Sequence, residues 1–160
     1  MFLWPASTHV ELTKQGEKKL DKLLEEIFPG NKVDFQLEDI SFPESYGQKD
    51  IYSLLQDSVL IGYVVISTAK GRYEYFDYCI IYNLDFQIKS LGVLVYRSDH
   101  GYEICNKKWL EQFAGMKAGD QKVFGKDIDA ISGATFSATS ITRDINLVNA
   151  TFSKLIITKN

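Results

Sequence analysis

The sequence has few of the residues from which metal centres and disulfide frameworks are built. It contains two cysteines and two histidines in 160 residues. Cys79 and Cys105 form no Cys-x-x-Cys pair, and no clustered spacing of cysteine and histidine indicates a zinc or iron–sulfur site. We therefore predict no metal ligands and interpret both cysteines as buried free thiols. A disulfide between them stays open for an exported protein.

Signatures of several other protein classes are also absent. No apolar run is long enough to span a bilayer. The 18 Lys and Arg residues against 21 Asp and Glu leave a mildly acidic chain, which argues against a nucleic-acid partner. The sequence has no Gly-x-Gly-x-x-Gly fingerprint for a nicotinamide cofactor and no Gly-x-Ser-x-Gly elbow for a hydrolase.

The residues that are present predict an α+β fold with an antiparallel sheet flanked by helices. Residues 60–68, 73–82 and 86–96 are rich in β-branched and aromatic residues, and the short connections between them require antiparallel neighbours. Both faces of 73–82 are apolar, so we expect the sheet to be covered on both sides or to meet a ligand along one. Alternation also predicts a short strand at 33–37, whereas the rest of 31–57 gives mixed signals.

Two helices are predicted before and after these strands. Thr8 and Glu11 have the spacing of a capping box, and the apolar stripe that follows ends at residues 29–30. A short helix is predicted at 107–113, stopping near Gly115. The stripe of the first helix consists of Leu12, Leu20, Leu23, Leu24 and Ile27.

The length suits one domain, or one domain with a small appendage. We assign residues 1–30 to an N-terminal helix, which can belong to the same domain, and residues 31–160 to the main domain. Residues 1–7 are apolar but lack the basic start and the full apolar region of a signal peptide. They are either the remnant of a leader or anchor or the start of the first helix.

The most informative segment is Asp129-Ala130-Ile131-Ser132-Gly133-Ala134-Thr135. Gly133 can adopt a left-handed conformation, and Ala134 keeps the adjacent surface low enough for a bulky group to approach. Apolar residues then recur along one helical face, at Ile141, Ile145, Val148, Phe152 and Leu155. The hydroxyls suited to cap this helix are those of Ser137, Thr139 and Ser140. The turn is therefore predicted at a helix N-terminus, where free amides and the helix dipole favour a phosphate.

At these residues the chain resembles the FMN-binding domain family, whose members include flavin-carrying components of the sodium-translocating NADH:quinone reductase and of the Rnf electron-transport complex. In that family a flavin transferase reads the pattern Asp-x-x-Ser/Thr-Gly-Ala-Thr/Ser and joins the FMN phosphate to the last hydroxyl as a phosphoester. The resemblance implies that Thr135 is the acceptor. It makes Asp129, Ser132, Gly133 and Ala134 the recognition sequence. The alternative is a capped turn without a ligand.

Two further segments resemble the family more loosely. Residues 96–103 occupy the place of a Glu-Thr-Pro-Gly segment close to the flavin, although the proline and the Glu-Thr pair are absent. Gly101 can supply the close approach there, and His100 is either a donor to the flavin or an ordinary surface histidine. Trp109 can pack near the flavin ring, although an aromatic at this spacing more commonly belongs to the core. The resemblance covers about residues 55–155.

The resemblance implies an electron carrier whose redox chemistry belongs to FMN. Thr135 is then the covalent tether, and Thr139 and Ser140 are candidate helix caps or phosphate ligands. The implied partners are a flavin transferase and a membrane-bound redox protein. Because that family is largely displayed outside the cytoplasm, we expect a location on the periplasmic side of the cytoplasmic membrane. Two other functions stay open, a flavin-dependent reductase of a small substrate and a non-redox binding module of the same fold.

Overall fold

The computed structural model describes residues 10–40, 42–43 and 47–159, except for the side chains of 153, 155–157 and 159. An N-terminal helix precedes five strands, a short helical segment follows them, and a long helix ends the described chain. The helices are α1 (Lys14–Ile27), α2 (Lys107–Leu110) and α3 (Thr135–Lys159). The strands are β1 (Val33–Leu37), β2 (Lys49–Gln56), β3 (Val59–Lys70), β4 (Tyr75–Tyr82) and β5 (Ile88–Tyr96). Single 3-10 turns flank α2, at Tyr102–Cys105 and Glu111–Phe113.

The five strands form one antiparallel sheet in the order β1-β2-β3-β4-β5. The α+β class and the strands at 33–37, 60–68, 73–82 and 86–96 are confirmed, with boundaries that move by about two residues. Strand β2 is an addition to the prediction. It joins β3 through Asp57 and Ser58, whose φ values of 51° and 65° give the left-handed conformations of a two-residue hairpin turn.

Both faces of the sheet are covered, as expected from the apolar residues on both sides of β4. Tyr78 and Ile80 point into the larger core, beneath α3, whereas Cys79 and Ile81 point into the smaller core with α1. The predicted apolar face of α3 is fully buried at Ile141, Ile145, Val148 and Phe152. The side chain of Leu155, which completes that predicted face, lies outside the described residues.

The first helix starts later than predicted. Its N-cap is Thr13, whose hydroxyl accepts a hydrogen bond from Gly16 N at 3.1 Å, so the capping box at Glu11 is wrong. Thr8 lies outside the described residues. The segment before the helix is extended because it packs on the sheet, where Val10 is buried and its N–H donates to the Asp50 carboxylate at 2.7 Å.

The remaining helices agree with the sequence in position. The helix predicted at 107–113 is confirmed as α2, which continues as a 3-10 turn to Phe113. Helix α3 is the longest element, with 25 residues. No helix in the described ranges combines the length and the apolar character needed to cross a membrane.

Both cysteines are free thiols, but their burial differs. Cys79 is fully buried, as predicted, whereas Cys105 is only half-buried, which corrects the prediction for that residue. Burial raises the pKa of Cys79 to about 12 and that of Cys105 to about 11. Burial therefore favours the protonated form of both thiols at neutral pH.

A polar cluster fixes α3 to three strands of the sheet. One carboxylate oxygen of Asp144 accepts a hydrogen bond from the Lys49 ammonium at 2.7 Å, and the Lys49 side chain is 0% exposed. The other oxygen accepts from the Ser67 hydroxyl at 2.7 Å and from the Tyr78 hydroxyl. Burial raises the pKa of Tyr78 well above its usual value, and the Asp144 charge raises it further, so the phenol remains a donor.

We predict that Asp144→Asn lowers the free energy of unfolding by about 3 kcal/mol, because it removes the negative charge that faces a buried ammonium. Urea denaturation followed by circular dichroism measures this. The matched control is Asp85→Asn, an exposed turn residue, for which a change within about 0.5 kcal/mol is expected. Equal unfolding midpoints for the two variants would show that the negative charge of Asp144 contributes no stability.

Candidate functional site

The predicted small-residue turn lies directly before α3. Gly133 has a φ of +85°, a conformation that L side chains rarely adopt, so glycine is required there. A Cβ at Gly133 would also lie 2.7 Å from a carboxylate oxygen of Glu103. The turn is closed by a hydrogen bond from Ala134 N to Ile131 O at 3.3 Å. The backbone conformation is what requires glycine, since the exposed Glu103 side chain can move away from an added Cβ.

Thr135 is the first residue of α3, and its side chain is exposed. The first hydrogen bond within the helix runs from Ala138 N to Ala134 O, at 2.8 Å. Ala134 therefore occupies the N-cap position without a side chain that could accept a hydrogen bond. Among the described residues, nothing accepts a hydrogen bond from the amides of Thr135, Phe136 and Ser137. The predicted helix N-terminus with free amides is confirmed.

The three hydroxyls predicted as N-caps lie inside the helix, which corrects that prediction. The helix starts at Thr135, before any of them, because the glycine turn ends there. Thr139 donates to the carbonyl of Thr135 at 2.7 Å, four residues back. The buried Ser137 hydroxyl lies 2.9 Å from the hydroxyl of Tyr96. Ser140 is half-buried on the side of the helix that faces the sheet end.

Two cavities meet at Thr135. The smaller, with a volume of about 210 Å³, brings together the predicted site residues His100, Gly101, Gly133, Ala134 and Thr135. The larger, with a volume of about 800 Å³, lies between α3 and the end of the sheet where β3 and β4 join, and it includes Thr139 and Ser140. We call the larger cavity the cleft. Arg72, Thr135 and Phe136 line both. The other predicted residues, Asp129, Ser132 and Trp109, line neither.

The loop that carries His100 is packed against the first turn of α3. Tyr96 donates its hydroxyl to the carbonyl of His100 at 2.6 Å and also contacts Ser137. A Cβ at Gly101, where φ is +83°, would lie 2.5 Å from the Tyr96 hydroxyl oxygen and 2.8 Å from Ser137 Oγ. We predicted that Gly101 allows a close approach of the flavin. In the structure, the groups that approach it closely are the hydroxyls of Tyr96 and Ser137. The His100 ring is exposed and lies 5.1 Å from the ring of Tyr73.

Side chains from the 107–113 segment hold the backbone at the start of the motif. The buried Trp109 indole donates to the carbonyl of Asp129 at 2.8 Å, and the Gln112 side chain accepts from the amide of Asp129 at 2.9 Å. Trp109 therefore belongs to the core, the commoner alternative given by the sequence. Sequence reasoning missed Gln112, although its i+3 spacing from Trp109 places both on one side of a helix.

Asparagines of α3 hold the segment that leads to the motif. The side-chain amide of Asn146 donates to the backbone carbonyl of Lys122 at 2.7 Å. The backbone N–H of Lys122 donates to the side-chain oxygen of Asn146 at 2.9 Å. The fully buried Asn149 donates to the carbonyls of Lys117 and Asp120, at 2.7 and 2.8 Å. The chain before the motif is thus bound to the helix after it.

The cleft has a charge that sequence reasoning did not predict. Lys70 at the end of β3, Arg72 in the β3–β4 turn and Arg143 on α3 all line it and are exposed. None of the three forms a salt bridge with a carboxylate in the described part of the chain. Arg72 lies over the ring of Tyr73, 5.5 Å from its centroid. The lining carboxylate, Asp144, already binds Lys49.

Comparison with family models and with curated proteins identifies no relative. No protein-family model matches the chain, and no curated protein is significantly similar to it. In the described ranges, no three His, Cys, Asp or Glu side chains form a group that could hold a metal ion. The features that bear on function are the turn at 129–135, the start of α3 and the two cavities.

We predict that Trp109→Phe loosens the motif, because Asp129 loses a hydrogen-bond donor while the core keeps an aromatic ring. Amide hydrogen exchange in residues 129–135 is expected to become faster, with a stability loss of about 1 kcal/mol. Ser53→Ala is the control, since it removes a hydrogen bond from a buried hydroxyl to Glu38 on the β1–β2 side of the sheet. Unchanged exchange at 129–135 in Trp109→Phe would contradict the role assigned to the indole.

Proposed function

We propose that the chain is an FMN-binding electron-transfer protein that carries its flavin on Thr135 as a phosphoester. One observation carries the proposal. The hydroxyl that ends a complete Asp-x-x-Ser-Gly-Ala-Thr motif belongs to an exposed residue, which opens a 25-residue helix whose first amides have no described acceptor. A hydroxyl for esterification and donors for the product phosphate lie within one helical turn.

The residues around Thr135 fit the phosphate end of FMN. Three amides at the start of α3 have no acceptor among the described residues, the helix dipole is positive at this end, and Arg72 adds a full positive charge to the lining of the smaller cavity. A phosphodiester keeps one negative charge, which these groups stabilise. The volume of about 210 Å³ suits the phosphate end rather than a whole cofactor, since pockets that enclose a ligand usually measure about 300–1,000 Å³.

When bound, FMN supplies the redox chemistry. The chain contributes the ester oxygen of Thr135, the amides that hold the phosphate charge, and a glycine turn that leaves the approach open. The side chains of Asp129 and Ser132 are exposed and line neither cavity, a placement that suits recognition by a flavin transferase rather than contact with the flavin. Trp109 and Gln112 keep the backbone of this recognition segment ordered.

Thr135→Ala is expected to abolish covalent flavin while leaving the fold intact, because it removes an exposed hydroxyl without creating a core cavity. The test is coexpression with a flavin transferase, followed by intact-mass measurement and flavin fluorescence on a denaturing gel. Thr135→Ser, which keeps the hydroxyl, is the matched control and is expected to retain the mass of one FMN. Fluorescence that persists on Thr135→Ala would reject the assignment of Thr135. Spontaneous attachment of FMN to the purified chain would instead contradict the requirement for a transferase.

The relay role requires protein partners, and we place it on the periplasmic side of the cytoplasmic membrane. Membranes from the native host are expected to reduce the flavin-loaded chain, which is measured as loss of the oxidised flavin absorbance. Recovery of the native protein from the cytoplasm alone would contradict the location. Loading with flavin but no reduction by membranes would contradict the relay.

A second candidate function is a flavin-dependent reductase of a small substrate. The cleft favours it, because a cavity of about 800 Å³ with convergent polar side chains shares three lining residues with the proposed phosphate site. Turnover of a small acceptor by the flavin-loaded chain, without any protein partner, distinguishes this function from the relay.

A further inference from the structure

The cleft concentrates positive charge in an otherwise acidic chain. The whole sequence carries a formal net charge of −3. Lys70, Arg72 and Arg143 nevertheless converge on this one cavity from β3, the β3–β4 turn and α3. The lining carboxylate of Asp144 accepts hydrogen bonds from Lys49, Ser67 and Tyr78, so it does not neutralise them. Three exposed cations of this kind repel one another unless an anion lies between them.

The cleft also presents exposed aromatic rings. Tyr75, at the start of β4, is 58% exposed, and Phe136, in the first turn of α3, is 49% exposed. Ala69 and Leu147 add apolar lining. Exposed apolar side chains that are grouped at a cavity, rather than scattered singly, are typical of surfaces that bind another molecule. Aromatic rings favour stacked or edge contacts with a flat partner.

We propose that the cleft binds a small organic oxyanion with a flat body, held by Lys70, Arg72 and Arg143 and covered by the rings of Tyr75 and Phe136. This ligand is distinct from the proposed flavin, and its binding does not require the flavin. Guanidinium groups match carboxylate and phosphate oxygens equally well, as pairs of parallel hydrogen bonds. The proposed ligand is therefore an oxyanion, either a carboxylate or a phosphate, attached to a conjugated or aromatic ring.

The test uses the full chain without flavin and measures binding by isothermal titration calorimetry. The probes are terephthalate, phenyl phosphate, inorganic phosphate and the neutral terephthalamide. Terephthalate and phenyl phosphate are expected to bind more tightly than inorganic phosphate, which lacks the flat body, and terephthalamide is expected not to bind. The tighter of the two aromatic anions identifies the oxyanion class. Added salt is expected to weaken binding, because the cations are exposed.

Lys70→Gln and Arg143→Gln are the informative variants, since both residues line the cleft but not the smaller cavity at Gly133. Each is expected to weaken binding of the aromatic anions about fivefold. Lys126→Gln makes the same change in net charge at an exposed position away from the cleft and is expected to leave the affinity unchanged.

Four results would overturn the inference. They are absence of binding, equal binding of terephthalamide, equal affinities for Lys126→Gln and the two cleft variants, and loss of anion binding when flavin is attached. The last result would show that the flavin itself fills the cleft. These outcomes are separate from the flavin proposal, which depends on the mass of the chain and on Thr135. A chain that binds the anions but never carries flavin supports this inference and contradicts that proposal.

Discussion

Helix α3 keeps its position on the sheet through the carboxylate of Asp144. Apolar packing also holds the helix on the sheet, but the hydrophobic effect is not directional. The bonds from Lys49, Ser67 and Tyr78 come from β2, β3 and β4, so they fix the helix along its axis and across the strands. Thr135 lies nine residues earlier in the same helix, about 14 Å along the axis. The position of the motif hydroxyl therefore depends on a polar cluster more than two turns away.

A second set of hydrogen bonds fixes the segment that precedes α3. The segment before the motif is bound by Asn146 and Asn149, and the backbone at Asp129 is bound by Trp109 and Gln112. Most of the bonded groups are backbone amides and carbonyls of residues 117–129, which would otherwise need water as their hydrogen-bond partner. An irregular connection thus gains order without a strand or helix of its own.

Local patterns were enough to predict the parts of the fold with strong periodicity. They gave four of the strands, the short helix at 107–113 and the buried face of α3. Strand β2 was missed because its hairpin turn is Asp57-Ser58, which lacks the glycine that marks most turns with two left-handed residues. The start of α1 was misplaced because long-range packing of Val10 outweighs a local capping signal.

The site was predictable only where it is contiguous in sequence. The motif turn and the free helix N-terminus follow from neighbouring residues and were predicted together. Lys70, Arg72 and Arg143 meet only after α3 has packed against the end of β3, and nothing in their local sequence indicates that convergence. Gln112 binds a residue that is 17 positions away in the sequence. The partners of Asp144 lie between 66 and 95 positions away. Contacts over such separations depend on topology, which a single sequence leaves open.

The two hydrogen bonds that hold the backbone of Asp129 affect when an enzyme could modify this segment. Trp109 and Gln112 can bind the backbone of Asp129 only when the 107–113 segment is packed in the core, so the conformation at the start of the motif depends on tertiary structure. An enzyme that modifies Thr135 in this conformation has to act on the finished domain rather than on the emerging chain. If Thr135 carries the proposed modification, the modified copies would be those in which the 107–113 segment has packed.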